Sequence, residues 1–539
     1  MALDTLEQRA APPPRPRRSA YALVVATVAL VLVAAFSVAV ALWSRPTLGR
    51  SATALAQIKL PIFAGSLIRA SAFAPDGMRI PLIEHGGQLT PQTQLSPGEQ
   101  VTVDVVVRSP GWLSWALGSV RTEQLTVRAP VAVVSDPWVT LAAGAPLRVR
   151  FDQRVARVET SAPFTLSGRT LSFGRPAAIS GSVELRAAAR SWERPGGAQT
   201  VSWFPHSSSA VVVASPVASS MLRPTSPIRL TFSERVSQAL GSALPSIEPR
   251  VAGSWREPDS HTLVFTPTGT GFPLASSLAV VLPRSLAASQ PPEQSTQPTK
   301  VIAYSVAAGT TLRLQQLLAQ EGYLPVSWAA TGASVARSER AEADAALDPP
   351  GGTFSWRYPN TPASLKAHWT VGQANLITKG AVMMFEHEHG LAVDGIAGPA
   401  VWHALLTSAV AGQRYGAPYS YVYVHALVPE SLTLWSAGHV VLRSPGNTGI
   451  PASPTQLGTF TVFEHIPVGT MSGTNPDGTK YDDPGIRYIS YFNGGDAIHE
   501  FPRGSYGTPQ SLGCVELPLA AAARVWPYTP IGTLVTVLN

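Results

Sequence analysis

"YISYFNGGDAIHEFPRGSYGTPQSLGCVELP", residues 488–518, contains Cys514, the only cysteine in a chain of 539 residues. The stretch opens on the aromatic-rich run Tyr488–Phe492, followed by Asn493-Gly494-Gly495, which reads as strand, turn and strand. His499 falls at the end of the second predicted strand, fifteen positions before Cys514. A connection of that length can fold back and bring the two side chains together. A thiol near its ordinary pKa of about 8.5 is mostly protonated at neutral pH, so a catalytic one needs an imidazole to take the proton or a setting that favours thiolate. The plain alternative is a buried free cysteine serving as a small hydrophobe.

Outward from this stretch, residues 418–539 carry further short strand patterns, "YSYVYVHA", "SLTLWSAG", "HVVLRSPGNTG", "GTFTVF" and "TLVTVL". They predict one compact β-rich domain of ordinary size. What precedes it bounds where a lone thiol would work. Residues 20–43, "AYALVVATVALVLVAAFSVAVALW", are uncharged and long enough to cross a bilayer as one helix. Arg15, Arg17 and Arg18 stand on its amino side, against Arg45 and Arg50 after it. The positive-inside tendency then predicts a cytoplasmic tail at 1–19, a transmembrane helix at 20–43 and export of everything after Trp43. A cleaved signal peptide, with "ATALA" at 52–56 as the peptidase site, is the rival reading, although its apolar run is long and the site far downstream. Outside the cytoplasm cysteines usually pair, and one cysteine cannot do so within its own chain.

Between helix and C-terminal domain the text changes once. From residue 51 to about 300 it shows short alternating runs broken by Pro, Gly and Ser, as in "QVTVDVVVRSP" and "AVVVASP", the pattern of antiparallel strands. "APLRVRFDQRV" from Ala145 is echoed by "SPIRLTFSERV" from Ser226, and "RTLSF" or "HTLVF" follows each. Repeated order implies repeated modules. The expected boundaries are 51–129, 130–205 and 208–306, and the expected role is spacer and scaffold. After Gly309, "TTLRLQQLLAQEGYLPVSW" places Leu314, Leu317 and Leu318 at helical spacing. The polar stretch 331–352 reads as a loop or poorly ordered insertion. "KGAVMMFEHEHGLAVDGIAGPAVWHALL", 379–406, predicts two helices with a glycine-rich turn between them. His387, Glu388 and His389 are adjacent and diverge on a helix, so a solvated face is expected rather than a metal site. A net charge of +7 with dispersed basic residues marks no nucleic-acid stripe.

Three of these texts resemble known families. The runs in 51–306 resemble the immunoglobulin-like domains of exported bacterial proteins by pattern alone. The 379–406 segment resembles the three-helix peptidoglycan-binding domain, which extends to 309–410 with an insertion. "PTQLGTFTVFEH", "YISYFNGGDAIHEF" and "YGTPQSLGCVELP", in that order, resemble the L,D-transpeptidase catalytic domain of YkuD-like fold. The expected fold class is therefore multidomain and mainly β, with an N-terminal transmembrane helix.

The last resemblance implies that Cys514 is the nucleophile and His499 the general base, its ring oriented by the backbone carbonyl of Glu500. It implies that Ser511 and Gly513 shape the turn, and that amides around Gly513 and Cys514 stabilise an oxyanion. Tyr488, Tyr491, Phe492 and Arg503 are candidate cleft residues. The implied reaction is acyl transfer between peptidoglycan tetrapeptide stems, donor and acceptor, with glycan strands as further partners and no metal or organic cofactor. Carbapenem-type β-lactams are the implied acylating inhibitors. Water in place of the acceptor amine would make an L,D-carboxypeptidase, and a decayed wall-binding scaffold is the non-enzymatic alternative. Two positions depart from the family pattern. Leu512 stands where a histidine usually precedes Gly-Cys, and Glu516 where Arg or Asn is usual. Glu516 would oppose thiolate formation unless Arg503 or Arg524 pairs with it.

Overall fold

The computed structural model describes residues 18–207, 209–283, 287–288 and 301–539, so Arg15, Arg17 and most of the expected cytoplasmic tail lie outside the described residues. The chain forms two compact units, 1–206 and 207–539.

The first unit opens with the helix Arg18–Trp43. Its stretch Tyr21–Val40 has a mean hydropathy of 2.8 and almost no buried surface. A helix apolar on every face and packed against little is consistent with a membrane anchor or a signal sequence. Two four-stranded sheets follow, Thr47–Arg50 with Ala56–Lys59, Gln88–Pro91 and Leu82–His85, and Arg79–Ile80 with Ser66–Phe73, Gln100–Arg108 and Val120–Arg128. "QVTVDVVVR" shows why they pack: Val101, Val103, Val105 and Val107 are all buried on one side, with polar or half-buried residues between them. A three-stranded and a four-stranded sheet complete the unit around Val149, Leu171 and Val201.

The echoed segments occupy the same place in their respective folds. Arg148–Arg150 pairs antiparallel with Thr170–Phe173, and Ile228–Phe232 pairs antiparallel with Thr262–Pro267. Repeated sequence thus makes a repeated ladder, the second within a five-stranded sheet that opens the second unit.

The helical part of the second unit contains Thr311–Glu321, Leu376–Glu388 and Pro399–Ala411. Thr310 and Asn375 cap the first two by accepting from Arg313 and Thr378 amides. Leu314, Leu317 and Leu318 point into the shared core with Phe385, Trp402 and Leu405. Residues 331–352 are not the loop their polarity suggests. Ser338 caps a helix, Glu339–Leu347, and the strands Val326–Ala330 and Gly352–Trp356 close the excursion as an antiparallel pair. Alanine is the strongest helix former, and Ala343 and Ala346, one turn apart, are fully buried, which is enough to dock a helix whose composition is otherwise polar. Glu342 on that helix forms a buried ion pair with Arg313. His387, Glu388 and His389 are exposed, and among the described residues no group of three or more His, Cys, Asp or Glu could hold a metal.

The C-terminal domain stacks two sheets. One runs His439–Pro445, Ser431–Ser436, Ser420–His425, Leu534–Leu538, Gly458–Thr461; the other runs Glu464–Thr474, Lys480–Asn493, Asp496–Glu500, Val515–Leu517. Val422, Leu434, Val535, Phe492, Ile498 and Val515 fill the space between.

Candidate active site

The two strands carrying the candidate chemistry lie side by side and parallel, with Ile498 opposite Val515 and His499 opposite Glu516. Side chains alternate across a strand, so this register puts Ile498 and Val515 into the inter-sheet core and Ala497, His499, Cys514 and Glu516 on the opposite face. The packing agrees: Ile498 and Val515 belong to the inter-sheet cluster, while Ala497 and Cys514 join Ile486 and Ile489 on the other side. On that face lies a cavity of about 630 Å³, lined among others by His499, Cys514, Glu516, Arg503, Leu512 and Tyr481.

His499 is almost fully buried, 3% exposed. Its Nδ1 lies 2.8 Å from the Glu500 carbonyl oxygen, an acceptor only, so Nδ1 carries the proton and Nε2 is left as an acceptor. Burial holds its pKa below the ordinary imidazole value, with the Glu500 carbonyl and the Glu516 charge pulling the other way. Cys514 is half-buried, and its Sγ donates to the Gly495 carbonyl oxygen at 3.6 Å. Burial pushes the thiol up to about 12; the Ala497 amide opposes this, and the charges of Asp496 and Glu516 add to it. The resting pair is therefore neutral thiol and neutral imidazole on one wall. The thiol must leave the Gly495 carbonyl for its proton to reach Nε2.

Gly513, before the cysteine, has φ +122°, and a Cβ there would sit 2.2 Å from Asp496 Oδ1. Only glycine fits that corner. The Ser511 hydroxyl staples the same turn, donating to the Cys514 carbonyl at 2.6 Å and accepting from the Gly513 amide at 3.2 Å. The Gly513 amide is thus already engaged with Ser511. Leu512 lines the cavity, while its carbonyl accepts from Ser453 Oγ at 3.0 Å.

Glu516 is neutralised in place. Arg503 reaches it through two bonds, Nε to Oε2 at 2.8 Å and Nη2 to Oε1 at 2.6 Å. Arg503 also donates to the Gln510 carbonyl at 3.1 Å and lies 4.5 Å over the Phe501 ring. Pairing of this forked kind is stronger than a point contact. Replacing Arg503 by Met leaves a buried carboxylate alone, and we expect a loss of about 2–3 kcal/mol, below the fully buried case because Arg503 is partly exposed. Urea unfolding checks it: an Arg503→Met/Glu516→Leu pair should recover most of the loss, and no recovery would mean that Arg503 acts through packing instead.

The aromatic candidates separate by strand face. Tyr491 shares the Cys514 face and stacks on Phe463, centroids 6.3 Å apart. None of the three lines the cavity: Phe492 is buried in the inter-sheet core, Tyr488 packs beside it, and Tyr491 lies on the Cys514 face outside the lining. Phe492 and Tyr488 fall one and three positions out of phase with Tyr491. The cavity instead takes Met471, Tyr481 and Asp483 from the long hairpin made by Glu464–Thr474 and Lys480–Asn493, together with Asn475 and Asp477 at its tip. Their one sequence signal is the turn text "NPDGT" at 475–479, where Asp477 accepts from the Thr479 amide and hydroxyl.

Comparison with known proteins bears on this geometry. Residues 421–537 match the family model for the L,D-transpeptidase catalytic domain, and residues 370–405 match that for a peptidoglycan binding domain. No curated protein sequence matches the chain. Among solved structures, an L,D-transpeptidase from Mycobacterium smegmatis aligns at 16% identity over 62% of this chain and 100% of its own, with a TM-score of 0.20. The catalytic domain of the E. faecium L,D-transpeptidase aligns at 28% identity over 22% of this chain and 96% of its own, TM-score 0.21. L,D-transpeptidase 3 from Mycobacterium tuberculosis aligns at 11% identity over 60% and 97%, TM-score 0.21. The two family matches fall on the C-terminal domain and on the helices that precede it.

Proposed function

We propose that this chain, which carries an L,D-transpeptidase catalytic domain behind a peptidoglycan-binding domain, crosslinks stem peptides through a thioester on Cys514 while held in the membrane by the helix Arg18–Trp43. One observation carries the chemistry: the parallel register that turns His499 and Cys514 to the same cavity, with the imidazole locked as an Nε2 acceptor. Cys514 Sγ attacks the carbonyl joining the L-centre of a diamino-acid residue to the terminal D-alanine, and its proton passes to His499 Nε2. The tetrahedral adduct collapses as that proton moves to the leaving nitrogen. D-alanine departs and the stem remains as a thioester. The side-chain amine of a second stem then adds to the thioester carbonyl, gives its proton to His499 and releases the thiol. The Cys514 amide is the oxyanion donor in this scheme, since the Gly513 amide is held by Ser511.

Mass spectrometry of the purified chain with a tetrapeptide stem tests this. The expected product is a crosslinked dimer with loss of one D-alanine. A tripeptide alone would reassign the site to an L,D-carboxypeptidase, and no turnover would favour a wall-binding scaffold.

Retention of the helix is supported by what a cut at 52–56 would remove. Ala54, Leu55 and Ala56 are 3%, 2% and 0% exposed in the core of the first two-sheet domain. The strand Thr47–Arg50, paired to Ala56–Lys59, lies upstream of the cut. We expect the intact mass of the protein extracted from membranes to include residues 18–43; a mature chain beginning near Gln57 would favour the signal-peptide reading.

A further inference from the structure

The first two-sheet domain ends in an apolar tip at the point where the helix enters it. Only Ser44, Arg45 and Pro46 separate Trp43 from the strand Thr47–Arg50. Thr47 pairs with Lys59, so the loop 60–65 leaves the sheet at the end where the helix arrives. Ser66 pairs with Arg108 and Arg108 with Val120, which brings the segment 109–119 to that end as well. The two loops are tied together: Arg121 donates to the Ala64 carbonyl at 3.0 Å, and Phe63 meets Trp112 edge to face with centroids 5.7 Å apart.

The tip turns large apolar side chains outward. Ile62 is 93% exposed, Trp115 85% and Trp112 56%. Trp115 is held in that posture by its indole N–H, which donates to the Trp112 carbonyl at 2.9 Å. Single exposed apolar residues are ordinary, but a cluster built from two tied loops marks an interaction surface. Charge says of what kind. Residues 44–75 and 105–122 contain no Asp or Glu, while Arg45, Lys59, Arg108 and Arg121 fall within them. Reach says where. Four Cα steps from Trp43 to Thr47 span at most about 15 Å, and the headgroup layer outside the hydrocarbon is roughly 5–8 Å deep. Tryptophan with flanking basic residues is the composition that settles in that layer.

We propose that Ile62, Trp112 and Trp115 form a membrane-seating surface. They enter the headgroup layer of the leaflet into which the helix emerges, with the neighbouring basic residues against anionic lipid, and fix the first two-sheet domain on the bilayer. The proposal rests on the reading of Arg18–Trp43 as an anchor.

Depth measurement on the full chain tests both separately. In a Cys514→Ala background, single cysteines are introduced by Ile62→Cys, Trp115→Cys, Val33→Cys and Ile179→Cys, labelled with an environment-sensitive fluorophore, and reconstituted in phosphatidylcholine/phosphatidylglycerol vesicles with or without brominated acyl chains. Ile179 is exposed and lies elsewhere in the unit, so its substitution reports water. Brominated lipid should quench the 62 and 115 probes several-fold more than the 179 probe, and less than the probe at 33, within the helix. An unquenched 33 probe overturns the anchor reading and the proposal with it. A quenched 33 probe beside unquenched 62 and 115 probes overturns the proposal alone. Shielding of 62 and 115 that depends on protein concentration and not on brominated lipid assigns the tip to a second copy, which also overturns it.

Discussion

Cys514→Ala is expected to abolish thioester formation and crosslinking, lowering turnover by about 10³–10⁶-fold, the range seen when a nucleophile acting in concert with its base is removed. The chain has one thiol, and the Ser511 hydroxyl in the same turn is committed to the Cys514 carbonyl. Substitution should leave the fold intact, because the turn is held by Ser511 and Gly513 and not by the sulfur. The readout is intact mass: a carbapenem should add its own mass to the wild-type chain and nothing to Cys514→Ala. A second expectation separates catalytic activation from general thiol reactivity. With the thiol pushed up to about 12, its thiolate fraction at pH 8 is roughly 10⁻⁴, against about one quarter for a free cysteine. Iodoacetamide should therefore alkylate Cys514 far more slowly than glutathione at equal pH, while the substrate, which engages His499, still acylates it. Crosslinking retained by Cys514→Ala would end the thioester account.

How much of this was legible before the fold was known depends on which residues one asks about. The strand-turn-strand around Asn493-Gly494-Gly495 is legible because aromatic, β-branched and turn residues are local signals, and Cys514 stands out because it is alone. What local signals do not carry is which face of a strand meets the site. Tyr488 and Phe492 stand at odd offsets from Tyr491, so alternation alone separates Tyr491, on the Cys514 face, from the other two, in the core, but nothing local says which set faces the site. Tyr481 and Asp483 escaped for a different reason: they reach the cavity only because two strands of 11 and 14 residues fold over as one hairpin, a long-range fact. The helix Glu339–Leu347 was hidden by composition, its charged residues masking two alanines at the spacing that docks it. Glu516 shows the reverse. Its need for a cation was readable, with Arg503 or Arg524 named, and the forked bond to Arg503 answers it.

His499→Gln is expected to lower kcat/KM for acylation by about 10²–10⁴-fold, the usual contribution of a positioned base, and to remove the acid limb of the pH profile. The sign follows from the neutral pair. Attack needs His499 unprotonated, so wild-type activity falls as pH drops through the imidazole pKa. Burial holds that pKa below the ordinary 6.5, placing the limb in acid and leaving a plateau through neutral pH. The thiol need not be ionised beforehand, and because its pKa lies near 12, no second inflection should interrupt the plateau between pH 7 and 9. A resting thiolate–imidazolium pair predicts otherwise, with the thiol titrating well below 8.5 and alkylation fast at neutral pH. The same burial links His499 to stability. Its folded pKa is lowered, so the unfolded chain takes up the proton first, and stability declines as pH falls below about 6.5. His499→Gln should lessen that decline, separating loss of the base from loss of the fold when urea midpoints at pH 5 and 7 are compared. An acid limb that persists unchanged in His499→Gln would assign the titration to another group and remove His499 from the mechanism.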